Sequence, residues 1–342
     1  MYRRPRIVAL RSVAALTIAT ALAVVAATSA PAFAASSPPV RVPAGTMLRV
    51  ADQVQQLQSP LQVAGQTTFP FTVQYSNFLG APAVFQAFQS GDVDFSVVGD
   101  STIIPPQIAG QNFVVVGLYV NNSENFGLIS APGQHVTAIN KSQLRGKKIA
   151  FQFGTNAQSY VLELLRKNGL TTSQVDLVNI PATSYVSAIK SGSVNFIVTE
   201  NPLTPQYLSE IPGAKVIYTP GIASGRLWLV ADRDAVANPA KSAAIASYLQ
   251  HLSQALAYVN GHEKQWATAY YEGVEKLPAS IIAPILKTTV PTYTVPITPS
   301  VIQQQQQLTD LFTQAGVIPQ HLDVSKTFTT KYNKYVVADE QR

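Results

Sequence analysis

The chain has 342 residues, 46% of them hydrophobic and only 12% charged, which excludes a disordered protein and suits one large domain or two modest ones. Its net charge of +6 falls to +2 once the four arginines of Met1–Ala34 are set aside, too mild for a nucleic-acid surface, and no Lys/Arg cluster follows residue 40. The absence of cysteine excludes disulfides, a cysteine-linked lipid anchor, thiolate catalysis, zinc–sulfur sites and iron–sulfur clusters.

Arg3-Arg4-Pro5-Arg6 is a basic start, Val13 to Ala27 is uncharged and mostly apolar, and Ala32-Phe33-Ala34 places small residues where a signal peptidase reads. Residues 1–34 are therefore expected to be a secretory signal peptide cut after Ala34. A membrane anchor is the competing reading, but the apolar run falls short of the roughly 20 residues a bilayer requires. Residues 35–46 read as a leader, Ser/Pro/Ala-rich through Ala44. The expected product is an exported protein without a lipid anchor, which suits a periplasm.

From Met47 onward, apolar and β-branched runs alternate with helical patterns. Leu48–Ala51, Phe71–Tyr75, Phe95–Val98, Val114–Leu118 and Phe126–Ser130 read as strands, as do Lys148–Phe151, Asp176–Ile180, Phe196–Thr199, Lys215–Tyr218 and Leu227–Ala231. Helical periodicity runs over Pro82–Gln89, Ala157–Asn168, Tyr185–Lys190, Lys241–Glu263 and Pro299–Ala315. The alternation predicts an α/β fold with largely parallel sheets. The chain also echoes itself. Ser90-Gly91, Val93, Phe95 and Val97 match Ser191-Gly192, Val194, Phe196 and Val198 at one offset, with Asp94 meeting Asn195. At that offset Ala51-Asp52-Gln53 meets Gln152-Phe153-Gly154. Two similar βαβ halves facing across a cleft are the simplest account.

In open α/β sheets, ligands bind beyond the carboxyl ends of strands. Those ends are Asp52-Gln53, Gly99-Asp100-Ser101-Thr102, Gly154-Thr155-Asn156 and Glu200-Asn201. At Gly154 a strand turns into a helix capped by Thr155 or Asn156, and such an N-terminus offers free N–H groups to a sulfonate, phosphate or carboxylate. An ordinary N-cap is the competing reading. Asp100 could cap a helix or accept from a ligand amine or hydroxyl, and Ser101 and Thr102 offer hydroxyls; a plain turn is equally compatible. Glu200 would repel a bare anion and could face a ligand's amino group or a cation. Arg226, after the glycine-bearing stretch Gly221–Gly225, is a candidate counterion for an anionic ligand, with a surface arginine as the alternative. His135, His251, His262 and His321 do not pair at metal-ligand spacing and read as surface or structural. Asp92 and Asp94, beside a helix–strand turn, are expected to hold no metal. The run Gln303 through Gln307 reads as a solvated helix face. No nucleophile elbow, Walker loop or His-Glu-x-x-His motif occurs.

Three stretches resemble the aliphatic-sulfonate-binding proteins of ABC importers, in the wider nitrate/sulfonate/taurine group. Val98-Gly99-Asp100-Ser101-Thr102 with Ile108-Ala109-Gly110-Gln111 is similar to that group's Gly-Asp loop. Leu144-Arg145-Gly146-Lys147-Lys148-Ile149-Ala150-Phe151, through Gly154 and Tyr160, resembles its Leu-Lys-Gly-Lys-Lys-Val-Ala stretch. Gln304 through Asp323 resembles its C-terminal signature. The resemblance implies a two-lobed type II periplasmic binding protein, each lobe a mostly parallel sheet flanked by helices, with two hinge crossings near Ser130–Gly133 and Leu227–Asp232. Lobe one is then 47–130 plus 232–342, and lobe two is 131–231. It implies an anion held between Asp100–Thr102 and Gly154–Asn156; the reading of the strand ends and of Arg226 adds Gln53, Glu200, Asn201 and Arg226 as candidate ligand-binding residues. Three places depart from the group: Thr199-Glu200-Asn201-Pro202 stands where Trp-Asp-Pro is common, the Pro-Pro pair is shifted to Pro105-Pro106, and Asp52-Gln53 leads into Gln55-Gln56 without a glycine cluster.

The expected function is that of the extracytoplasmic binding component of an ABC importer, closing around a small organic anion such as an alkanesulfonate. The expected partners are a small-molecule ligand and a membrane permease, with no nucleic acid, no cofactor and no metal, and the protein is expected to be a monomer and not an enzyme. The alternatives keep the fold but change the ligand to a zwitterionic or neutral one (amino-sulfonate, pyrimidine or other heterocycle), or make the chain an enzyme or sensor.

Overall fold

The computed structural model describes residues 39–336 apart from 79, 122–125, 135, 201–202 and 287–291. The expected signal peptide, His135 and Asn201 lie outside the described residues. Each of the expected strands forms, and one short strand joins them.

The first sheet comprises β1 (Met47–Gln53), β2 (Thr72–Phe78), β3 (Phe95–Gly99) and β4 (Phe113–Val120), and the second comprises β5 (Phe126–Ser130), β6 (Lys148–Phe151), β7 (Asp176–Asn179), β8 (Phe196–Glu200) and β9 (Lys215–Tyr218). The chain then returns to the first sheet with β10 (Arg226–Asp232) and the unforeseen β11 (Tyr293–Val295). The strand orders are β11-β4-β10-β3-β1-β2 and β7-β6-β8-β5-β9. β1 runs parallel to β2 and β3, and β6 runs parallel to β7 and β8. β10 is antiparallel to β3 and β4, just as β5 is antiparallel to β8 and β9.

This topology moves the expected crossings. The chain passes to the second sheet between Val120 and Phe126 and returns between Tyr218 and Arg226. Boundaries at 130/131 and 231/232 therefore assign β5 and β10 to the wrong lobes. Each is the first strand after a crossing and inserts, reversed, into the lobe it has just entered. The sequence displays both as apolar runs but carries no sign of their partners. The end of the leader also belongs to lobe one, since Val42 is buried in its core.

Each sheet is covered on both faces, so its strands are apolar on both sides. In lobe one, Leu48, Val50, Phe95 and Val97 pack against the long helix Pro239–Asn260, while Val98, Trp228 and Val230 pack against the helices Ala81–Gln89 and Pro299–Gln314. The long helix starts where Asn238 accepts from the Ala240 and Lys241 N–H groups, with Pro239 at its first position, and stops at Gly261. In lobe two, Ile149, Phe151 and Phe196 pack against the helix Asn156–Lys167, and Ala150 and Ile197 against Tyr185–Lys190. Each large side chain so buried contributes roughly 2–3 kcal/mol. Among the described residues no helix is long and apolar enough to cross a membrane.

The internal repeat has a structural basis and a slip. The Asp94 carboxylate accepts from the Arg49 backbone N–H at 2.9 Å, and Asn195 Oδ1 accepts from the Lys148 N–H at 2.9 Å. The paired residues thus lock equivalent strands. A constant offset would make Leu48 the counterpart of Ile149, yet Val50 pairs with Phe95 as Ile149 pairs with Phe196. Asp52 therefore corresponds to Phe151, and Gln53 to Gln152.

The glutamine run is only partly a solvated face. Gln305 is fully buried: its Oε1 accepts from Trp228 Nε1 at 3.1 Å and its Nε2 donates to the Asp100 carbonyl at 2.9 Å. Gln306 ties the same helix to Leu322 and Val324. Gln305→Leu leaves a buried indole N–H and a carbonyl unpaired, and is expected to cost about 2 kcal/mol in urea unfolding. A midpoint equal to wild type would contradict this.

Candidate ligand-binding site

The strand ends of both sheets converge on one cleft of about 350 Å³. Gln53, Asp100 and Thr102 come to it from lobe one, Thr155, Asn156 and Glu200 from lobe two, and Arg226 from the return crossing. Ser101 and Gly154 stand behind this lining. Ser101 is buried, its hydroxyl 3.3 Å from the Thr155 carbonyl and from Asn156 Oδ1. Gly154 turns with φ 74° and donates its N–H to Gln158 Oε1 at 2.9 Å.

The helix Asn156–Lys167 opens on the cleft without a side-chain cap. Thr155 holds the N-cap position, but its hydroxyl donates back to the Gln152 carbonyl at 2.7 Å. The expected cap is therefore absent, and the first-turn amides keep their partial positive charge for something else. The lobes touch here: a Cβ added at Gly99 would stand 1.9 Å from Asn156 Oδ1. Farther along the same helix, Leu162 is buried among Ile104, Phe312 and Ile318 of lobe one, and beyond the helix end Thr172 Oγ1 donates to the Ala315 carbonyl at 3.4 Å.

Asp100 and Arg226 engage each other. Asp100 is 1% exposed, accepts from the Ser224 hydroxyl, and lies 3.8 Å from Arg226 Nε. Burial pushes its carboxyl up from the usual aspartate range, against the pull of Arg226. Arg226 Nη1 also donates to Gln304 Oε1 at 2.7 Å. Arg226 is thus a partly spent counterion, and Asp100 fastens the return crossing.

Glu200 differs. It is an exposed residue on the wall of the cleft, and its carboxylate has neither a hydrogen bond nor an ion pair among the described residues. Desolvation alone raises its pKa to about 7. Gln53 donates from Nε2 to the Val97 carbonyl at 2.7 Å, and the turn after it places Val54 and Gln55 at φ 45° and 60°. Left-handed backbone at a β-branched residue marks strain held at the cleft rim, where the expected glycine cluster is missing.

Sequence reading missed Tyr270 and Glu275, which reach the cleft from the segment after the long helix, and Asn121, Phe126 and Ser159. No motif marks them. Asn121 and Phe126 flank the first crossing and could have been found only by locating it. A second cavity of about 520 Å³ lies on the far side of Ala223–Arg226, between the helices Asn156–Lys167 and Pro299–Gln314. It shares Asp100, Ser159, Ala223, Ser224 and Arg226 with the cleft but stands away from the other strand ends.

Two lobes joined by two crossings, with strand ends and an uncapped helix N-terminus meeting in one cleft, make a bilobal α/β fold. The comparisons with known proteins show the same fold. Residues 79–206 match the family described as NMT1/THI5 like. The chain is 26% identical over 254 residues, 74% of its length and 77% of the relative's, to an aliphatic sulfonates-binding protein of Escherichia coli (strain K12). The crystal structure of the periplasmic aliphatic sulphonate binding protein SsuA from Escherichia coli shares its fold at a TM-score of 0.71 and 23% identity, over 82% of this chain and 91% of that one. The alkanesulfonate-binding protein SsuA from Xanthomonas axonopodis pv. citri, bound to MOPS, does so at 0.72 and 22%, over 84% and 99%. The chain is thus similar in sequence to aliphatic-sulfonate-binding proteins and shares their two-lobed fold.

Proposed function

We propose that this protein is the extracytoplasmic solute-binding component of an ABC importer, capturing a small organic anion such as an alkanesulfonate between its lobes and passing it to a membrane permease. The observation that carries the reading is the uncapped N-terminus of Asn156–Lys167, aimed into the cleft against Gly99–Thr102. A sulfonate there meets first-turn N–H groups and the helix dipole. Thr155, Asn156 and Thr102 supply polar side chains around it, and Gln53 and Arg226 stand at the edges. Asn201 belongs to the same proposed site through its neighbour Glu200. The relatives named as sulfonate-binding support the ligand class. The same reading makes the protein a periplasmic monomer, released by cleavage after Ala34 and free of a lipid anchor. Its crossings then act as the hinge.

Among the described residues of the cleft, none pairs a nucleophile with an activating base. Asp100 is tied to Ser224 and Arg226, and Glu200 stands alone. A thermal-shift screen of the mature protein against alkanesulfonates, sulfate and nitrate is the test. Ligand at 100 times its dissociation constant adds about 2.7 kcal/mol to stability, a rise of several degrees. A rise with sulfonates that Thr155→Ala or Asn156→Ala weakens is the expected result. No rise with any anion would sink the ligand class.

A further inference from the structure

Asp52 is a carboxylate in a place where carboxylates are seldom kept. It stands one residue before the end of β1, is fully buried, and has no cation paired with it among the described residues. It is held by donors instead. Its Oδ1 accepts from the Leu57 N–H at 3.0 Å, and its Oδ2 accepts from the Gln58 N–H at 2.9 Å and from Gln58 Nε2 at 3.2 Å. These amides open the short helix Gln58–Val63, whose own N-cap position is Leu57, a side chain that cannot cap. Leu57 and Leu61 anchor that helix in the core of lobe one.

The chain between Asp52 and Leu57 is the strained rim turn. Val54 and Gln55 take φ 45° and 60°, and Gln56 donates its N–H back to the Gln53 carbonyl at 3.0 Å. Gln53, Val54 and Gln56 all line the cleft. Left-handed backbone at such residues persists only where the surroundings over-determine it. Here the Gln53 bond to the Val97 carbonyl fixes one end of the turn and the Asp52 carboxylate fixes the other.

We propose that Asp52 is the positioning residue of the cleft rim: its carboxylate latches the strained turn in the shape that presents Gln53, Val54 and Gln56 to the solute. Asp52 itself stands behind the lining. The inference rests on the binding-protein reading above and adds to it a control by acid.

The groups facing the carboxylate are the Gln58 amide and the phenols of Tyr75 on β2, Tyr119 on β4 and Tyr248 on the long helix. Burial pushes all three phenols up, so they stay neutral between pH 5 and pH 8 and Asp52 alone among them changes charge. Burial, opposed by the Leu57 and Gln58 bonds, raises its carboxyl to about 6. A proton on Oδ1 would set donor against donor at the Leu57 N–H, leaving that amide only its longer contact to Oδ2 at 3.2 Å. The remaining bonds would lose their charge assistance. The latch therefore tightens as pH rises through this window and loosens as it falls.

The test is isothermal titration of the mature protein with ethanesulfonate at pH 5 and pH 7.5. Asp52→Ala is expected to bind at least about tenfold more weakly at pH 7.5, or about 1.4 kcal/mol. Asp52→Asn places an amide N–H where the proton would sit, so it copies the acid form at every pH. It should bind severalfold more weakly than wild type at pH 7.5 and equally at pH 5. Glu200 and Asp100 titrate alike in both proteins and drop out of that ratio. Should Asp52→Ala fold poorly, the comparison with Asp52→Asn decides by itself. Wild-type affinity in Asp52→Ala, or a ratio of wild type to Asp52→Asn that is the same at both pH values, would overturn the latch and leave the binding protein standing. If ethanesulfonate binds none of the three, the ligand reading falls, and the latch is read from the Leu57 and Gln58 amide resonances of the protein alone. A shift through about pH 6 in wild type and none in Asp52→Asn upholds it; no shift in wild type overturns it.

Discussion

Gly99→Ala is expected to weaken ligand binding by about tenfold or more while leaving the fold intact. Gly99 sits at φ −64°, a conformation any residue adopts, so alanine strains nothing within lobe one. The conflict arises across the cleft, where the new Cβ would meet Asn156 Oδ1 at 1.9 Å and its Cγ and Nδ2 at 2.4 Å. The Asn156 side chain can swing aside only by giving up the Ser101 hydroxyl and moving into the space a ligand would fill. The alternative is for the lobes to part. Calorimetry with a bound probe, paired with small-angle scattering, separates the two: a larger radius of gyration reports parted lobes, and an unchanged one reports a displaced Asn156. In Gly99→Ala with Asn156→Gly the obstruction disappears and the compact shape should return. Wild-type affinity in the single variant would show that this contact does not govern closure.

Asp94→Ala is expected to lower the unfolding free energy by about 3 kcal/mol, a large single-site effect in this molecule. The carboxylate is 1% exposed and accepts from the Arg49 N–H, from Arg49 Nη2 at 2.6 Å and from Lys241 Nζ at 2.7 Å. Its loss leaves two cations facing each other and releases β1 from its turn. Both cations reach solvent, which holds the figure to the lower end of the range for broken buried pairs. The second lobe provides the control, because Asn195 does the backbone part of this work alone. Asp94→Asn should therefore cost less than Asp94→Ala. These partners hold the folded-state pKa of Asp94 below its ordinary value, so the stability it brings is present above about pH 4 and lost as pH falls through the folded value. Urea unfolding of wild type and Asp94→Ala should converge in acid. A difference independent of pH would show that packing, not charge, is lost.

Local pattern made the strands and long helices legible, because a doubly covered sheet leaves unbroken apolar runs such as Phe95–Val98 and Leu227–Ala231. Pairing was less legible. Nothing in the composition of Phe126–Ser130 says that it inserts into the lobe it has just entered, and the crossings were misplaced for that reason. The strand-end rule picked out Gln53, Asp100, Thr102, Thr155, Asn156 and Glu200, and the search for a counterion picked out Arg226; all seven line one cleft. It did not reveal that Arg226 is engaged by Asp100, since that depends on Ser224 and Gln304 folding in from distant segments. Tyr270 and Glu275 had no signature, being polar residues on an irregular segment whose position only tertiary packing decides.

The buried meeting of Leu162 with Ile104, Phe312 and Ile318 bears on energetics that a binding curve alone would hide. These side chains lie outside the lining of the cleft, so their attraction is the same whether or not a solute is present. They set the resting balance between shut and spread forms. An observed dissociation constant then equals the intrinsic one divided by the fraction of molecules already competent. Trimming Phe312 would weaken every solute by one common factor, while changes at Glu200 would re-rank solutes against each other. The same adhesion opposes opening, so parting the lobes must first separate four apolar side chains that lie outside the cleft lining.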